Sequence, residues 1–383
     1  MGIVSPVCMS YSLLFIADIS GFTKFVNETE INHSRHIVSE LLEALIDSDK
    51  LNMEVAEIEG DAVLFYKYRE VPGVDALLAQ GKEMFLEFHS HLANYKQRRI
   101  CHCGACSSAH NLTIKFIAHR ADFNFVRVKT HRKPHGSDVI LAHRLLKNDI
   151  PGQEYLLFSE GFSSSLTSSE LSTKYPWVKI GSAASTYDDI GETTYQFISL
   201  EALKKQIEVK PSIFPVLTKD PIIVEGLINL DSATLFELIA NFDFRDQWNN
   251  APLSMEFEKD RVNRVGTRHV CVFSNEEIEF ETVTNDFGSN KLVYGERLDN
   301  YKFVKEATNY FILEDKEGQT LLRIESHIMP KNKVIKLFSL FYKMIFRKTL
   351  KKAFGNIEGA ARRLKLRGAN MVPLKELDQV VNV

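Results

Sequence analysis

The chain has 383 residues and a formal net charge of -3 at pH 7, with 44% hydrophobic and 25% charged residues. Its length predicts two domains, and its composition is that of a globular protein without the excess positive charge that a nucleic-acid partner would require. Five cysteines, an odd number, argue against a disulfide framework, and no apolar run approaches the roughly 20 residues of a membrane-spanning helix. The N-terminus has no basic start and no long apolar core, so we expect no signal peptide and a cytoplasmic location.

Residues 13–25, LLFIADISGFTKF, place a carboxylate where an apolar run ends. The run predicts a buried strand that ends at Asp18, and Gly21 lets the chain turn sharply. Residues 57–66, EIEGDAVLFY, repeat this order, with Asp61 at the mouth of a second apolar strand. A carboxylate at the last buried position of a strand is costly unless a partner such as a metal ion compensates it. Asp18 and Asp61 could therefore share one or two magnesium ions, or both could cap turns.

Helical and strand patterns alternate through the rest of the first half. Apolar residues at helical spacing predict helices within residues 22–49 and over residues 74–95 and 138–147. Alternating or apolar runs predict strands over residues 53–58, 62–68, 112–118, 124–130, 154–158 and 193–198. This order of elements predicts an α+β sandwich.

Two motifs resemble those of a known family. Residues 16–23 read Ile-Ala-Asp-Ile-Ser-Gly-Phe-Thr, and residues 58–61 read Ile-Glu-Gly-Asp. Together they resemble the class III nucleotide cyclase domain, which adenylyl and guanylyl cyclases share, and the resemblance extends to about Leu200. It implies a ferredoxin-like α+β sandwich over residues 1–202 and a homodimer. It also implies a reaction that converts a purine nucleoside triphosphate, GTP or ATP, to the cyclic nucleotide and pyrophosphate.

The resemblance assigns roles to single residues. Asp18 and Asp61 would hold Mg²⁺ or Mn²⁺ in a two-metal site, and each subunit would lend Arg144 to its partner's aspartates to stabilise the transition state. Residues 136–144, GSDVILAHR, match the motif that carries this arginine, with Ile140 in place of the family's asparagine. Losing one positioned donor typically costs about 3 kcal/mol of barrier. Backbone amides at a helix N-terminus would bind the phosphates. The nucleotide-binding turn consists of Ile19, Ser20, Gly21, Phe22 and Thr23.

Two further positions would contact the base. Glu57 stands where guanylyl cyclases have glutamate, which can accept hydrogen bonds from the N1–H and exocyclic amine of guanine, so it favours GTP. The second position falls on Lys133, which fits neither the adenine nor the guanine pattern. Glu57 could equally be a solvated strand residue.

The loop at residues 101–106, CHCGAC, has no counterpart in the cyclase pattern. Its Cys-x-Cys-x-x-Cys spacing could supply three thiolate ligands to zinc. A solvent-exposed thiol loop or a redox pair is the alternative. Arg98 and Arg99 beside the loop would lower the thiol pKa values in either case. The candidate ligands are Cys101, Cys103 and Cys106, with His102, His110 or Cys8 as the fourth.

The sequence pattern changes after a Pro-containing linker at residues 203–217. Residues 222–230 predict a strand, Asp231 and Ser232 then cap a helix at residues 233–242, and a short second helix follows at residues 244–248. A meander of strands comes next, and a long amphipathic helix at residues 332–366 precedes a loose tail at residues 367–383. The predicted strands of the meander span residues 269–273, 278–283, 291–296, 308–313 and 320–328.

This order of elements, together with Trp248, resembles the START-like helix-grip fold of polyketide-cyclase and dehydrase-type lipid carriers. For residues 218–366 the resemblance implies a sheet that curls around the last helix and leaves an apolar cavity for a hydrophobic small molecule or lipid. The same side chains could instead fill the core. The last helix is also basic, which fits either peripheral contact with an anionic membrane or a solvated outer face. The predicted pocket residues are Trp248, Leu337, Phe338, Phe341, Met344 and Ile345.

Two functional hypotheses follow. In the first, the protein is a signalling enzyme of class III cyclase type, and its second domain senses a hydrophobic ligand. In the second, the cyclase fold is catalytically degenerate and serves as a dimerisation or nucleotide-binding module of a lipid-like ligand-binding protein. Asp18, Asp61 and Arg144 favour the first hypothesis, whereas Ile140 and Lys133 favour the second.

Overall fold

The computed structural model describes residues 11–27, 29, 31–166, 169–207, 214–249, 252–259, 261–302, 304–332 and 339–366. The chain divides into two compact units: a first unit of Met1–Asn94 with Ser108–Val209, and a second unit of Tyr95–Ser107 with Lys210–Val383. Each unit has its own large sheet, so the chain has a mixed α+β fold. The predicted tail, and residues 208–213 of the predicted linker, lie outside the described residues.

The strands up to residue 199 are β1 (Ser12–Ser20), β2 (Glu54–Glu59), β3 (Ala62–Lys67), β4 (Thr113–Ala121), β5 (Asn124–Val128), β6 (His131–His135), β7 (Tyr155–Ser159), β8 (Ile180–Tyr187) and β9 (Gly191–Ser199). Seven of them form the large sheet of the first unit in the order β2-β3-β1-β4-β7-β9-β8, and β5 pairs with β6. β4 and β7 are parallel, whereas the other neighbours in the large sheet are antiparallel. The sequence did not predict β6 or β8.

Helices flank these strands. They are α1 (Phe22–Asn27), α2 (Ile31–Asp47), α3 (Val74–Arg98), α4 (Gly104–Ser108), α5 (Ser137–Arg144), α6 (Ser163–Leu166) and α7 (Ser169–Lys174). α5 ends three residues before its predicted end, because the Leu146 and Lys147 amides donate to the carbonyls of His143 and Arg144. This three-residue spacing tightens the last turn instead of continuing the α-helix.

β1 lies in the sheet between β3 and β4, and its apolar run is fully buried on both faces. On one face, Leu14 and Ile16 join a core cluster with Ala142 of α5. On the other face, Phe15 stacks on Phe116, with 5.7 Å between the ring centroids. Burial on both faces explains why this segment shows a continuous apolar run rather than an alternating pattern. Asp18 therefore comes directly after the buried part of this strand.

The second unit contains an antiparallel seven-stranded sheet. Its strands are β10 (Ile222–Ile228), β11 (Ser254–Phe257), β12 (Arg268–Val272), β13 (Glu277–Val283), β14 (Lys291–Asp299), β15 (Val304–Lys316) and β16 (Gln319–Pro330), in the order β10-β16-β15-β14-β13-β12-β11. The helices described in this unit after residue 210 are α8 (Ser232–Ala240) and α9 (Ser339–Leu366). As predicted, Asp231 caps α8, where its Oδ1 accepts a hydrogen bond from the Thr234 amide at 2.8 Å.

One prediction for this half needs correction, and another lies partly outside the described residues. The predicted short helix at residues 244–248 is a 3-10 helix, Phe242–Gln247. The described part of the last helix begins at Ser339, and residues 333–338 of the prediction lie outside the described residues.

α9 packs closely against β10. The ring of Phe354 on α9 lies so close to Gly226 on β10 that a Cβ at this glycine would be 2.7 Å from the Phe354 Cζ atom. Among the described helices, none is both long and apolar enough to cross a bilayer.

Candidate functional site

Asp18 and Asp61 lie close together at the end of β1 in the first unit. β1 and β3 pair antiparallel, with Asp18 opposite Ala62, the residue that follows Asp61. The amide of Ile19 donates to the carbonyl oxygen of Asp61 at 3.0 Å, which fixes the turn against the strand. This turn joins β2 to β3 and has a glycine with a positive φ of 62° at position 60. The predicted adjacency of the two aspartates therefore follows from strand register and one turn.

The two carboxylates influence each other's ionisation. Burial raises the pKa of Asp18 above its ordinary value, even though the nearby Lys115 ammonium acts in the opposite direction. Burial also raises the pKa of Asp61, and the negative charge of Asp18 adds to this increase. Two raised pKa values in one cluster mean that its negative charge is incompletely compensated by the protein.

Lys115 is the member of this cluster that the sequence did not reveal. It lies directly opposite Asp18 in the register of β1 and β4. Its Nζ is 3.2 Å from Asp18 Oδ2 and donates to the carbonyl oxygen of Leu146 at 3.1 Å. Residues directly opposite on neighbouring strands project from the same face of a sheet. The sequence gives a strand at this position but no register, so the pairing of Lys115 with Asp18 could not be predicted.

A divalent cation suits this cluster chemically. Two carboxylates face a single ammonium, so one negative charge remains when both aspartates are ionised. Carboxylate oxygens are the ligands that Mg²⁺ and Mn²⁺ prefer. A cation beside Asp18 and Asp61 would lower both pKa values and supply the missing charge. Asp18 remains 17% exposed at its side chain, which leaves it accessible from solvent.

The predicted phosphate-binding turn begins with the last two residues of β1, Ile19 and Ser20, and the Ile19 amide already donates to Asp61. Gly21 has a φ of 87°, a left-handed conformation that favours glycine, and α1 starts at the next residue. The ring of Phe22 lies over the β2–β3 turn, because a Cβ at Gly60 would be 3.9 Å from its Cε1 atom. α1 has only six residues. A helix this short aligns few peptide dipoles, so it adds little to the attraction of phosphate that the sequence predicts here.

The two predicted base-contacting residues contact each other. Glu57 Oε2 is 3.4 Å from Lys133 Nζ, and Glu57 Oε1 is 3.8 Å from His143 Nε2. Glu57, Glu59 and His143 each offer an atom within 4.8 Å of the others. Glu57 is thus a member of an ion-pair cluster rather than an isolated solvated residue.

Arg144 and Ile140 lie on α5. Arg144 is the last residue of this helix and is exposed, and in the part of the chain that the structure describes no carboxylate forms an ion pair with its guanidinium. Ile140 is 56% exposed, an unusual degree of exposure for a large apolar side chain on a structured helix. The structure does not bring Arg144 into contact with Asp18 or Asp61 among the described residues of one chain.

The cysteine loop belongs to the second unit. Cys101 and Cys106 are buried, Cys103 is partly buried, and all three are thiols rather than disulfides. The thiols lie close enough that hydrogen bonding with Cys101 and Cys103, followed by burial, raises the pKa of Cys106. The predicted fourth ligand His110 is exposed in a 3-10 helix, Ala109–Asn111, which belongs to the first unit. Cys8 lies outside the described residues.

The second unit also buries a charged cluster that the sequence did not predict. Arg245, 3% exposed, forms an ion pair with Glu296 and donates to the hydroxyl of Tyr294 at 3.0 Å. The Tyr294 hydroxyl donates to Glu296 at 2.6 Å, and His269 Nε2 lies 3.5 Å from the same carboxylate. Within the described residues, Arg245 Nε and both ring nitrogens of His269 have no hydrogen-bond partner. Buried charge in a predicted apolar interior is a functional signal, because it is costly to maintain.

The predicted pocket residues have different environments. Trp248 is buried, donates from Nε1 to the carbonyl oxygen of Leu238 at 2.9 Å, and has the guanidinium of Arg245 4.6 Å from its ring centroid. Met344 and Ile345 on α9 are 53% and 48% exposed, so neither is enclosed in an apolar interior. Leu337 and Phe338 lie outside the described residues, as does the side chain of Phe341.

A cleft of about 210 Å³ in this unit is lined by more charged than apolar side chains. Its arginines are paired with neighbouring carboxylates: Arg297 NH2 is 2.7 Å from Glu281, and Arg268 NH1 is 3.5 Å from Glu279. The predicted apolar cavity is therefore not this cleft.

Sequence comparison gives one clear relative. The model of a family described as "Protein of unknown function (DUF2652)" matches residues 38–155. The chain is also 32% identical over 166 residues to "Uncharacterized protein Rv2561/Rv2562" of Mycobacterium tuberculosis (strain ATCC 25618 / H37Rv), a match that covers 43% of this chain and 73% of the mycobacterial protein. The chain belongs to the family of this mycobacterial protein. Neither description names an activity.

Solved structures similar to the chain are remote. The catalytic core of a rhodopsin-guanylyl cyclase with converted specificity, in complex with ATPalphaS, matches with a TM-score of 0.36 and 13% identity, covering 49% of this chain and 95% of that one. The guanylyl cyclase Cya2 matches with a TM-score of 0.35 and 12% identity, covering 49% and 91%. Ara h 8.0201 matches with a TM-score of 0.30 and 14% identity, covering 38% and 98%. These similarities are too weak to indicate a function.

Proposed function

We propose that the first unit is a nucleoside-triphosphate site of class III cyclase type, which converts a purine nucleoside triphosphate to its cyclic nucleotide and pyrophosphate. The observation that supports this most is the pair Asp18 and Asp61, one at the end of β1 and the other in the adjoining β2–β3 turn. Both have raised pKa values, and a single lysine, Lys115, pairs with Asp18. The motif at residues 16–23 and the one at residues 58–61 supply these two aspartates in the order that the family resemblance requires.

The reaction rearranges one nucleotide. The ribose 3′-oxygen forms a bond to the α-phosphorus, the bond from this phosphorus to the oxygen bridging to the β-phosphate breaks, and the hydroxyl proton passes to solvent. Mg²⁺ or Mn²⁺ held by Asp18 and Asp61 would supply the charge that eases deprotonation of the 3′-hydroxyl and departure of pyrophosphate. Lys115 favours the ionised form of Asp18, against the effect of burial, and orients its carboxylate through the 3.2 Å ion pair. Arg144, exposed and with no ion-pair partner among the described residues, would donate a fork of hydrogen bonds to phosphate oxygens, in the partner subunit of a homodimer.

Base choice depends on Glu57. Its two oxygens could accept hydrogen bonds from the N1–H and exocyclic amine of guanine, which supports GTP as the substrate. Lys133 and His143 already lie 3.4 and 3.8 Å from these oxygens. A guanine base would have to displace Lys133 from one oxygen, and the side chain of Lys133, 58% exposed, can move into solvent.

The test is an incubation of the purified protein with Mn²⁺ and each of the four ribonucleoside triphosphates, with products identified by mass spectrometry. We expect a cyclic purine nucleotide from the wild type and none from Asp18→Asn, which keeps the size of the side chain but removes its charge. Asp75→Asn is the matched control, because Asp75 pairs with Lys174 on the surface and not with the site. A cyclic product that persists in Asp18→Asn, or that forms without either aspartate, would refute the proposed site.

A degenerate site that binds nucleotide without turnover is the second candidate for this unit. Ile140 supports it, because isoleucine cannot donate the hydrogen bond of the family's asparagine, and 56% of it is exposed where the nucleotide would be oriented. In this case isothermal titration would detect Mn²⁺-dependent binding of a triphosphate that Asp18→Asn abolishes, with no cyclic product. The Ile140→Asn variant separates the two candidates, because a restored donor should raise turnover only if the rest of the site is competent.

For the second unit we propose a START-like binder of a hydrophobic ligand with a polar end. Its sheet, with strands in an antiparallel meander and a long C-terminal helix, supports this assignment. Buried Arg245 Nε and the ring nitrogens of His269, which have no hydrogen-bond partner in the described part of the chain, could contact the polar end of such a ligand. Native mass spectrometry and solvent extraction of the purified protein would identify a co-purifying ligand. A chain that binds no lipid or apolar probe, with unchanged Trp248 fluorescence, would refute this assignment.

A further inference from the structure

The loop between α3 and α4 brings three sulfur atoms together. No two of the Sγ atoms of Cys101, Cys103 and Cys106 are more than 4.8 Å apart, and none of the three takes part in a disulfide. Zn–S bonds of about 2.3 Å in a tetrahedral site place sulfur atoms roughly 3.8 Å from one another. The thiols are therefore within a small adjustment of the spacing that one zinc ion imposes.

Backbone amides are directed at two of these sulfurs. The amide of Cys103 donates to Cys101 Sγ at 3.4 Å, and the amide of Cys106 donates to Cys103 Sγ at 3.4 Å. Amide donors at this distance also stabilise the negative charge that a metal-bound sulfur carries. In both cases the donor is the amide of the next cysteine in the Cys-x-Cys-x-x-Cys motif.

The loop is held in place by its own polar contacts. Arg99 NH1 donates to Ser107 Oγ at 2.6 Å, Ser107 Oγ donates to the carbonyl oxygen of His102 at 3.2 Å, and the Ser107 amide donates to the carbonyl oxygen of Cys103 at 3.0 Å. Just before the loop, the carbonyl oxygen of Arg98 accepts a hydrogen bond from the Val265 amide at 2.9 Å. The sulfurs therefore sit on a constrained segment of the second unit, and a preorganised ligand set binds a metal with less loss of entropy.

We propose that Cys101, Cys103 and Cys106 bind one Zn²⁺ ion as thiolates, in a structural site of the second unit. The guanidinium of Arg99 adds positive charge beside the loop, which would offset part of the negative charge of three metal-bound thiolates. Three thiolates occupy three positions of a tetrahedral ion and leave the fourth for a nitrogen or oxygen ligand. The site is independent of the nucleotide site, so failure of one proposal does not affect the other.

The test is metal analysis of the full-length protein purified without chelator. We expect about one zinc per chain and an X-ray absorption spectrum with three sulfur neighbours at about 2.3 Å. Cys103→Ser should lower the zinc content at least tenfold, whereas Cys271→Ser, which removes a buried thiol from β12, should retain it. Co²⁺ added to metal-free protein should give the intense visible bands of tetrahedral thiolate coordination in the wild type and in Cys271→Ser only.

A second measurement tests the proposal on the wild type, in case the Cys103→Ser variant fails to fold. Titration of the wild type with a mercurial reagent should release zinc in step with the modification of three thiols. Zinc that is retained in folded Cys103→Ser would place the metal elsewhere and overturn the proposal. A metal-free protein with a disulfide among the three cysteines, or with the visible absorption of an iron–sulfur cluster, would also overturn it.

Discussion

His269 should make the second unit less stable in mild acid. Its imidazole is 2% exposed and lies between Phe242 and the stacked ring of Phe280. Burial, followed by the positive charge of Arg245, lowers the pKa of His269 to about 3. Glu296 lies 3.5 Å away but is already paired with Arg245, so it does not hold a proton on the imidazole. The folded protein therefore keeps this ring neutral at pH values where the unfolded chain binds a proton.

The size of the effect follows from the two pKa values. With a pKa of about 6.5 in the unfolded chain, linkage predicts that the free energy of unfolding falls by about 2 kcal/mol between pH 7 and pH 5. Stability is fully present above the unfolded pKa and is lost as the pH falls, because only the unfolded state takes up the proton. The loss continues until the pH approaches the folded pKa of about 3. In His269→Gln, which does not ionise, this contribution should vanish.

The assay measures the fluorescence of Trp248, one of the two tryptophans of the chain. In a Trp177→Phe background, Trp248 is the remaining tryptophan and is buried in the second unit, so its fluorescence reports unfolding of that unit. Between pH 7 and pH 5, the free energy of unfolding measured in urea should fall by about 2 kcal/mol more in this parent than in its His269→Gln variant. His110→Gln controls for removal of an exposed histidine. Equal losses in the parent and in His269→Gln would refute the assignment of a neutral buried imidazole.

Two further predictions concern the same unit, and both are measured by urea unfolding at Trp248. Glu296→Gln should lower the free energy of unfolding by about 3–5 kcal/mol, because it leaves the buried Arg245 charge without its ion pair; a loss below 1 kcal/mol would mean that water reaches this cluster. Gly226→Ala should cost about 1–3 kcal/mol, since its Cβ would be 2.7 Å from Phe354 Cζ. Gly355→Ala in α9 should instead stabilise by about 0.5–1 kcal/mol, because no atom of the described residues, apart from its chain neighbours and the backbone of its own helix, lies within 4 Å of the added Cβ. Equal effects of the two alanines would contradict the packing of Phe354 on Gly226.

Local patterns in the sequence predicted the elements that carry the two aspartates. β1 is buried on both faces, and the β2–β3 hairpin has its turn glycine, so both show in the sequence without any tertiary information. β8 was missed because it is built of small and polar residues, IGSAASTY. The structure gives the reason at one position: a Cβ at Gly181 would lie 2.4 Å from Phe197 Cζ, so the ring from β9 fills the space that a larger residue of β8 would need. A strand whose small residues leave room for the side chains of the neighbouring strand shows no apolar pattern of its own.

Long-range pairing was the information that the sequence lacked. The cysteine loop follows α3 directly, and the prediction therefore assigned it to the first domain, yet Tyr95–Ser107 belongs to the second unit. Hydrogen bonds explain this, because Val265 donates to Arg98 and Arg99 forms a β-bridge with Arg264, more than 150 residues away in the chain. The buried pair of Arg245 and Glu296 was missed for the same reason, since each residue alone reads as a surface charge.

Lys115 reduces the net negative charge of the proposed metal site. Asp18, Asp61 and Lys115 together carry a charge of about −1 when all are ionised. A bare triphosphate, with about four negative charges, would be repelled by such a site. A metal-bound triphosphate carries less negative charge and brings the cation that the two carboxylates lack. If the proposed nucleotide site is correct, the cluster would favour the metal complex over the free nucleotide, and Lys115 would limit how strongly the carboxylates attract a cation before the nucleotide binds. Under the proposed function this preference would depend only on the register of β1 and β4 and on the turn before β3, and it would apply whether the nucleotide is then cyclised or only retained.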